Sequence, residues 1–343
     1  MMIQTNNNES ETTIWPSWLS TKTIIPIVVL LCTLIVVASF YGVDMSYKYQ
    51  PGKKNEASKT TNKAQNEAQL SKSATHFKFP DVLEYFKLQE SWQVTFDHGV
   101  NSFGQLSTAM KNQKVLMLEA DLLMGSVPDM RDLYPNSNIP IMAHPPNITS
   151  DIDFKSWLKI VLKEGKAMKL DMKTLNVLLP ALLILKKECS NAVSNGQLLP
   201  PLWLNADIVD GPRDKPATVF GPEFIRMCSE LMPFATLSLG WGNDPEFPYE
   251  KDVLTQSMVE DMFSLCEHAR QPITFAVRAA LVQNSWKNLR WLLDQNPEKF
   301  SLTIYQGRVD NTHEEQIKVI QELTKGYRVF FDVEFDLSEL FST

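Results

Sequence analysis

In the segment MLEADLLMG (residues 117–125) two carboxylates, Glu119 and Asp121, interrupt an otherwise apolar run. Read as a strand, its alternate side chains share a face, so Leu118 and Ala120 point one way and Glu119 and Asp121 the other. Adjacent carboxylates repel each other and resist burial unless something positive joins them or bulk water solvates them. A divalent cation or a Lys or Arg would serve.

Outward from this segment the chain alternates short β-rich runs with amphipathic ones. The strand-like runs are 92–99, 114–122, 139–146, 165–173, 201–209, 234–241, 272–280 and 300–307. Helical patterns lie between them. Residues 153–165 put Phe154, Trp157, Leu158, Val161 and Leu162 on one face and stop at Gly165. Stretches 221–232, 285–296 and 311–326 behave likewise. Eight strands alternating with helices predict an α/β protein of the (β/α)8 TIM-barrel class. An open doubly wound sheet would want a glycine-rich phosphate loop after an early strand, and the sequence has none. A ninth run at 327–335 is expected to close or plug one end of the barrel.

In such a barrel the chemistry sits at the C-terminal ends of the strands. Polar residues recur there: His98, then Glu119 and Asp121, then His144, then Lys169, Asp171 and Lys173. Later runs add Asn205, Asp207, Ser238, Trp241, Thr274, Arg278, Thr303 and Tyr305. Singly, each has an ordinary structural role: Asp207 as a helix cap, Arg278 as the partner of a carboxylate, Lys169 in a barrel-floor ion pair, Trp241 in the core. Together, two His, acids and lysines at successive strand ends point to one shared site. Three carboxylates without cysteine ligands suit a hard cation such as Mg²⁺. The two His remain for proton transfer near neutral pH.

The motifs HGVNS (98–102), LEADL (118–122), PIMAHPP (140–146), SDIDFKSWL (150–158), KLDMK (169–173), WLNADIVDGP (203–212), LSLGW (237–241) and TFAVRAAL (274–281) together resemble the menorin family. That family is distantly similar to glycerophosphodiester phosphodiesterases and sphingomyelinase-D-like phospholipases, which are (β/α)8 barrels. The resemblance implies acid–base roles for His98 and His144, Mg²⁺ binding by Glu119, Asp121 and Asp171, and assistance from Lys173. The reaction expected is cleavage of a phosphodiester of lipid-headgroup or glycerophosphodiester type, with His98 as base and His144 as acid, the reverse assignment remaining open. Lys169, Asn205, Asp207, Trp241, Arg278 and Tyr305 are the expected substrate-binding residues. The enzymes follow their first His with Arg-Gly, where this chain has Gly99-Val100-Asn101, which leaves a phosphate-contacting role to Arg278 or Lys173. The family's association with adhesion complexes and dendrite patterning gives an alternative: a non-catalytic cell-surface module with extracellular protein partners.

Residues 24–43 carry no charge and are long enough to span a bilayer. They exceed a signal-peptide core and lack a small-x-small cleavage site. The chain is therefore expected to comprise an N-terminal tail (1–22), a transmembrane helix (23–43), a polar tether (44–75) and a barrel domain (76–343). Lysines after the span would by themselves put the barrel in the cytoplasm. The resemblance implies the opposite, type II placement, with the barrel extracellular or lumenal; of the two sequons, Asn8-Glu-Ser before the span and Asn147-Ile-Thr after it, that placement makes Asn147 the expected glycosylation site. A net charge of −7 without a basic block excludes a nucleic-acid partner. Of four cysteines none forms a C-x-x-C pair, so neither a zinc ribbon nor a redox pair is expected. Among Cys189, Cys228 and Cys266 either one disulfide or three buried thiols is expected.

Overall fold

The structure is a computed structural model, and it describes residues 77–128 and 138–341. The expected membrane span at 23–43, the tether and the N-terminal tail lie outside the described residues. Among the described residues no helix is long and apolar enough to cross a membrane.

The strands are β1 (Phe96–Asp97), β2 (Met117–Gly125), β3 (Ile139–Met142), β4 (Ala167–Met172), β5 (Leu202–Val209), β6 (Thr236–Trp241), β7 (Ile273–Arg278), β8 (Phe300–Tyr305) and β9 (Val329–Asp332). The helices are α1 (Val82–Phe86), α2 (Phe103–Lys111), α3 (Phe154–Glu164), α4 (Leu175–Ser194), α5 (Gly221–Leu231), α6 (Gln256–Cys266), α7 (Ala279–Asp294), α8 (Glu314–Leu323) and α9 (Leu337–Phe341). Local signals set these elements. In α3 the Asp153 carboxylate accepts from the Ser156 amide, and Gly165 ends the helix at φ 73°.

The strand order is β1-β2-β4-β5-β6-β7-β8-β9, every neighbouring pair parallel. This is a nearly closed eight-stave α/β barrel of the TIM type. Two expectations change. The third run does not form a stave: β3 folds back antiparallel on β2, with Leu122 opposite Met142. The ninth run is no end piece: β9 pairs with β8 and is the eighth stave. Residue propensity marks both runs as strands but does not tell a hairpin return from a parallel neighbour.

Alternation divides the apolar residues into two cores. Even-numbered β2 and β4 residues, such as Leu118, Ala120, Met168 and Leu170, face the helices. Inside the barrel floor, Phe96, Met117, Ala167, Trp203 and Phe330 pack together, closed by Val82 and Val94. The Trp203 and Phe330 rings meet edge to face at 4.8 Å. Above this plug, Ser238 donates to Asn205 (2.6 Å) and the Thr274 and Thr303 hydroxyls bond at 2.7 Å. The interior is thus apolar below, neutral polar in the middle, and charged at the C-terminal mouth. Cys189, Cys228 and Cys266 are free and buried, which resolves the disulfide alternatives for the three.

No backbone ladder joins β1 to β9 among the described residues. Ser91 covers that edge instead: its hydroxyl donates to the Val329 carbonyl (2.6 Å) and accepts from the Val329 amide (3.1 Å). Ser91→Ala leaves a buried amide and carbonyl unpaired. It should lower stability by about 1–3 kcal/mol, read as a lower urea midpoint at unchanged slope.

Candidate functional site

The mouth is built from the upper ends of five staves and the turn after β1. Register places Asp121 opposite Asp171 and Glu119 opposite Lys169. Odd-numbered residues of both strands point inward with the floor residues Met117 and Ala167. Glu119, Asp121 and Asp171 each bring one carboxylate oxygen to a position within 4.8 Å of the others. Glu119 and Asp121 are buried and Asp171 nearly so. The two carboxylates of the central segment thus converge with a third.

Each carboxylate has a distinct neighbourhood. The Gly99 amide donates to Glu119 Oε2 (2.9 Å), and His98 Nε2 stands 3.7 Å from the same oxygen. Gly99 adopts φ 69°, a turn that favours glycine. Asn101 Nδ2 donates to Asp121 Oδ2 (2.6 Å), and its own side-chain oxygen accepts from the Asp121 amide (2.8 Å). Lys173 Nζ bridges Asp171 Oδ2 (2.5 Å) and Asp121 Oδ1 (2.8 Å). On the other side Asp332, at the end of β9, accepts from His98 Nδ1 (3.0 Å) and Lys169 Nζ (3.4 Å).

These arrangements shift the titrating groups in opposite directions. Burial pushes the Glu119 carboxyl up to about 7, with the charge of Asp121 adding and His98 opposing. Burial also raises Asp121, but the charge and hydrogen bond of Lys173 and the bond from Asn101 outweigh it and hold the group below its usual range. Against burial, His98 and Lys169 bring Asp332 down to about 2. Glu119 foremost, against burial, and then Asp332 push the His98 imidazole up to about 10. The His98 ring is 54% exposed, so water screens part of that field. At neutral pH these neighbours favour the imidazolium form of His98.

Asp207 joins the mouth from β5. Its Cα partner is Gly240, where a side-chain carbon would come within 2.2 Å of Asp207 Oδ1. Only glycine leaves the carboxylate that space. Asn243 donates to its other oxygen at 3.1 Å. Burial, then the charge of Asp171, pushes Asp207 up to about 7. Tyr305 shares this side of the mouth: after burial, the charge of Asp207 is what raises its phenol most.

His144 stands just past β3, exposed, with Nδ1 2.6 Å from the Pro145 carbonyl oxygen. The antiparallel return brings it to the rim beside Asp121, whose carbonyl accepts from the Ala143 amide (3.0 Å). Asn147 is exposed on the same loop.

The structure thus gathers His98, Glu119, Asp121, Lys169, Asp171, Lys173, Asp207 and Tyr305 at the mouth, sets Asn205 just below and His144 at the rim. Two expected substrate-binding residues are engaged within the protein. Trp241 is buried on the outer face, its indole donating to the Met258 carbonyl of α6 (3.1 Å). Ser238 and Gly240 take the inward positions of β6, so alternation sends Trp241 outward. Arg278 is committed to Asp310 at 2.6 Å, with exposures of 1% and 0%, and cannot turn to a substrate phosphate without breaking that pair. Asp332, Asn101 and Asn243 are not among the residues expected from sequence; an acid inside the strand-like run 327–335 is the signal that marks Asp332.

A family model of the menorin N-terminal domain matches residues 90–338. Human protein FAM151B is 35% identical over 261 residues, spanning 74% of this chain and 89% of that protein. The barrel is also similar to an intracellular xylanase from Thermoanaerobacterium saccharolyticum, at 12% identity and TM-score 0.39 over 74% of this chain and 88% of that one. A carboxyl transferase domain of Rhizobium etli pyruvate carboxylase gives 9% and 0.38 over 84% of this chain and 46% of that one. The chain belongs to the menorin family.

The raised His98 pKa has a defined consequence. His98 contributes stability that is complete below about pH 6.5 and lost as pH rises through about 10. Asp332→Asn removes one of the two carboxylates behind the shift. The His98 midpoint should fall, measured by NMR titration of the ring, and the alkaline loss of stability should begin at lower pH.

Proposed function

We propose that this menorin-family protein is a membrane-anchored, metal-dependent phosphodiesterase acting on an ester of lipid-headgroup or glycerophosphodiester type. The observation that carries the reading is the convergence of Glu119, Asp121 and Asp171 within 4.8 Å, with His98 on the Glu119 carboxylate.

The donor set fits a hard divalent cation such as Mg²⁺. It is all oxygen and largely buried, and two of its members already attract an ammonium, that of Lys173. Glu119, Asp121 and Asp171 would hold the ion, which when bound polarises a phosphoryl oxygen. Asn101 and the Gly99 amide orient two of the three carboxylates.

The remaining residues supply proton transfer and anion binding. His98, kept as an imidazolium by Glu119 and Asp332, carries a proton to the leaving oxygen. His144 has no carboxylate within ion-pair distance among the described residues and accepts the proton of the attacking hydroxyl or water. This reverses the assignment favoured from sequence, because a His held protonated by two acids is a poor base. Asp332 positions the His98 ring by its 3.0 Å bond to Nδ1. Lys169 and Lys173 offset charge on the phosphoryl oxygens. Asp207, Asn243 and Tyr305 offer polar groups to the alcohol moiety.

The proposal extends to placement, with the N-terminus inside and the barrel extracellular or lumenal. The exposure of Asn147 supports it, since a glycan there meets no packed side chain. Mass lost on glycosidase treatment of the cell-derived protein, and absent in Asn147→Gln, is the expected result.

The enzymatic test is hydrolysis of a phosphodiester panel with Mg²⁺ and with EDTA. Activity should require the metal. His98→Ala and Glu119→Gln should each lower kcat by at least about 100-fold while leaving the urea midpoint within the range of folded protein. Wild-type protein inert on the whole panel, with both variants retaining every cell-surface function, would leave the barrel a non-catalytic adhesion module.

A further inference from the structure

The position of Lys173 raises a question that its expected role as a phosphate ligand does not answer. Its ammonium lies 2.5 Å from Asp171 and 2.8 Å from Asp121. Those carboxylates are two of the three that would hold the metal. A divalent ion held by the same two carboxylates would stand within a few ångströms of that ammonium, where like charges repel. Each occupant then weakens the binding of the other.

The geometry points to Lys173 as an exchangeable counter-ion: it neutralises the carboxylates while the metal is absent and is released to a substrate phosphate when the metal takes its place. The inference rests on the reading of Glu119, Asp121 and Asp171 as a metal site and adds a regulatory link, in that metal loading creates the anion site.

Three further observations support it. The Lys173 amide donates to the Leu122 carbonyl at 2.9 Å, so the backbone is fixed while the four-carbon stem is free to swing. The Lys173 side chain is 19% exposed and reaches the open mouth, whereas Lys169 is 4% exposed and bonded to Asp332. Arg278, the other candidate for a phosphate, is sealed against Asp310. Among the described lysines and arginines of the mouth, Lys173 alone has both an outlet to solvent and a partner that a metal would displace. By linkage, phosphate and metal then strengthen each other's binding by the same factor.

The test is calorimetric titration of the full chain with MgCl2 and with inorganic phosphate, in wild type and in Lys173→Met, with Lys173→Gln as a second variant in case the first does not fold without metal. Magnesium should bind roughly tenfold tighter or better to either variant, because a competing charge is gone. Phosphate should separate the two states. In EDTA, where Lys173 is committed to carboxylates, wild type and variant should bind it equally weakly. In saturating Mg²⁺, wild type should bind it at least about tenfold tighter than the variant. A variant that loses phosphate affinity equally with and without Mg²⁺, or that binds Mg²⁺ more weakly than wild type, overturns the inference while the metal site stands. Wild-type protein that binds no Mg²⁺ overturns the metal site and the inference with it. Wild type alone gives an independent arm: saturating phosphate must tighten Mg²⁺ binding, and no change overturns the exchange.

Discussion

Charge balance at the barrel mouth is the constraint on which the other features depend. Glu119, Asp121, Asp171, Asp207 and Asp332 face it, against Lys169, Lys173 and the imidazolium of His98. Five acids against three cations leave a deficit of two positive charges. Lys173 spreads its one charge over two carboxylates, and Glu119 and Asp207 are pushed up to about 7, which lets protons supply part of what is missing. Isolated buried carboxylates would otherwise be strongly unfavourable. A fold that tolerates them at one end places its stability elsewhere, in the aromatic floor around Trp203 and Phe330 and in the helix-facing core.

The same layering explains how much was legible in the sequence. Alternation in the central segment fixed which face Glu119 and Asp121 share, and the spacing of Lys169, Asp171 and Lys173 put the third acid and its neighbouring cations at the same end. Those inferences use only the two-residue period of a strand, which tertiary context rarely overturns. The two strand errors have a different origin. A run such as residues 139–146 has strand propensity whether it becomes a stave or a hairpin arm, since direction depends on the connection before it. Residues 327–335 follow eight other strand-like runs, so pattern alone does not show that this run supplies the eighth stave or that Asp332 enters the mouth. Trp241 sits outside because Ser238 and Gly240 mark the inward face of its strand. Arg278 was placed on the correct face. Its partner Asp310 lies in a loop 32 residues away, beyond the reach of periodicity.

The correction to β3 changes the chemistry available. Had residues 139–146 formed a stave, His144 would crown its own strand, one step around the barrel from Glu119 and Asp121. As a hairpin arm, β3 runs downward from beyond the rim, and Met142 is held opposite Leu122. The next two residues therefore descend alongside Asp121, and the bond from the Ala143 amide to the Asp121 carbonyl fixes that level. His144 is registered to the central segment by a backbone ladder, though it belongs to a loop.

His98 and the loop that carries His144 thus meet the central segment at neighbouring positions, Glu119 and Asp121. His98 lies against Glu119 from the β1 turn and is tied across the seam to β9, and His144 comes down beside Asp121 from the hairpin. The two imidazoles are unequal. His98 is clamped between two acids, whereas the side-chain hydrogen bond of His144 among the described residues goes to a backbone carbonyl and its ring is open to water. Side chains bridge the incomplete β1–β9 seam where a laddered pair of strands would have backbone bonds: Ser91 on the Val329 amide and carbonyl at the lower end, and Asp332 on His98 at the mouth.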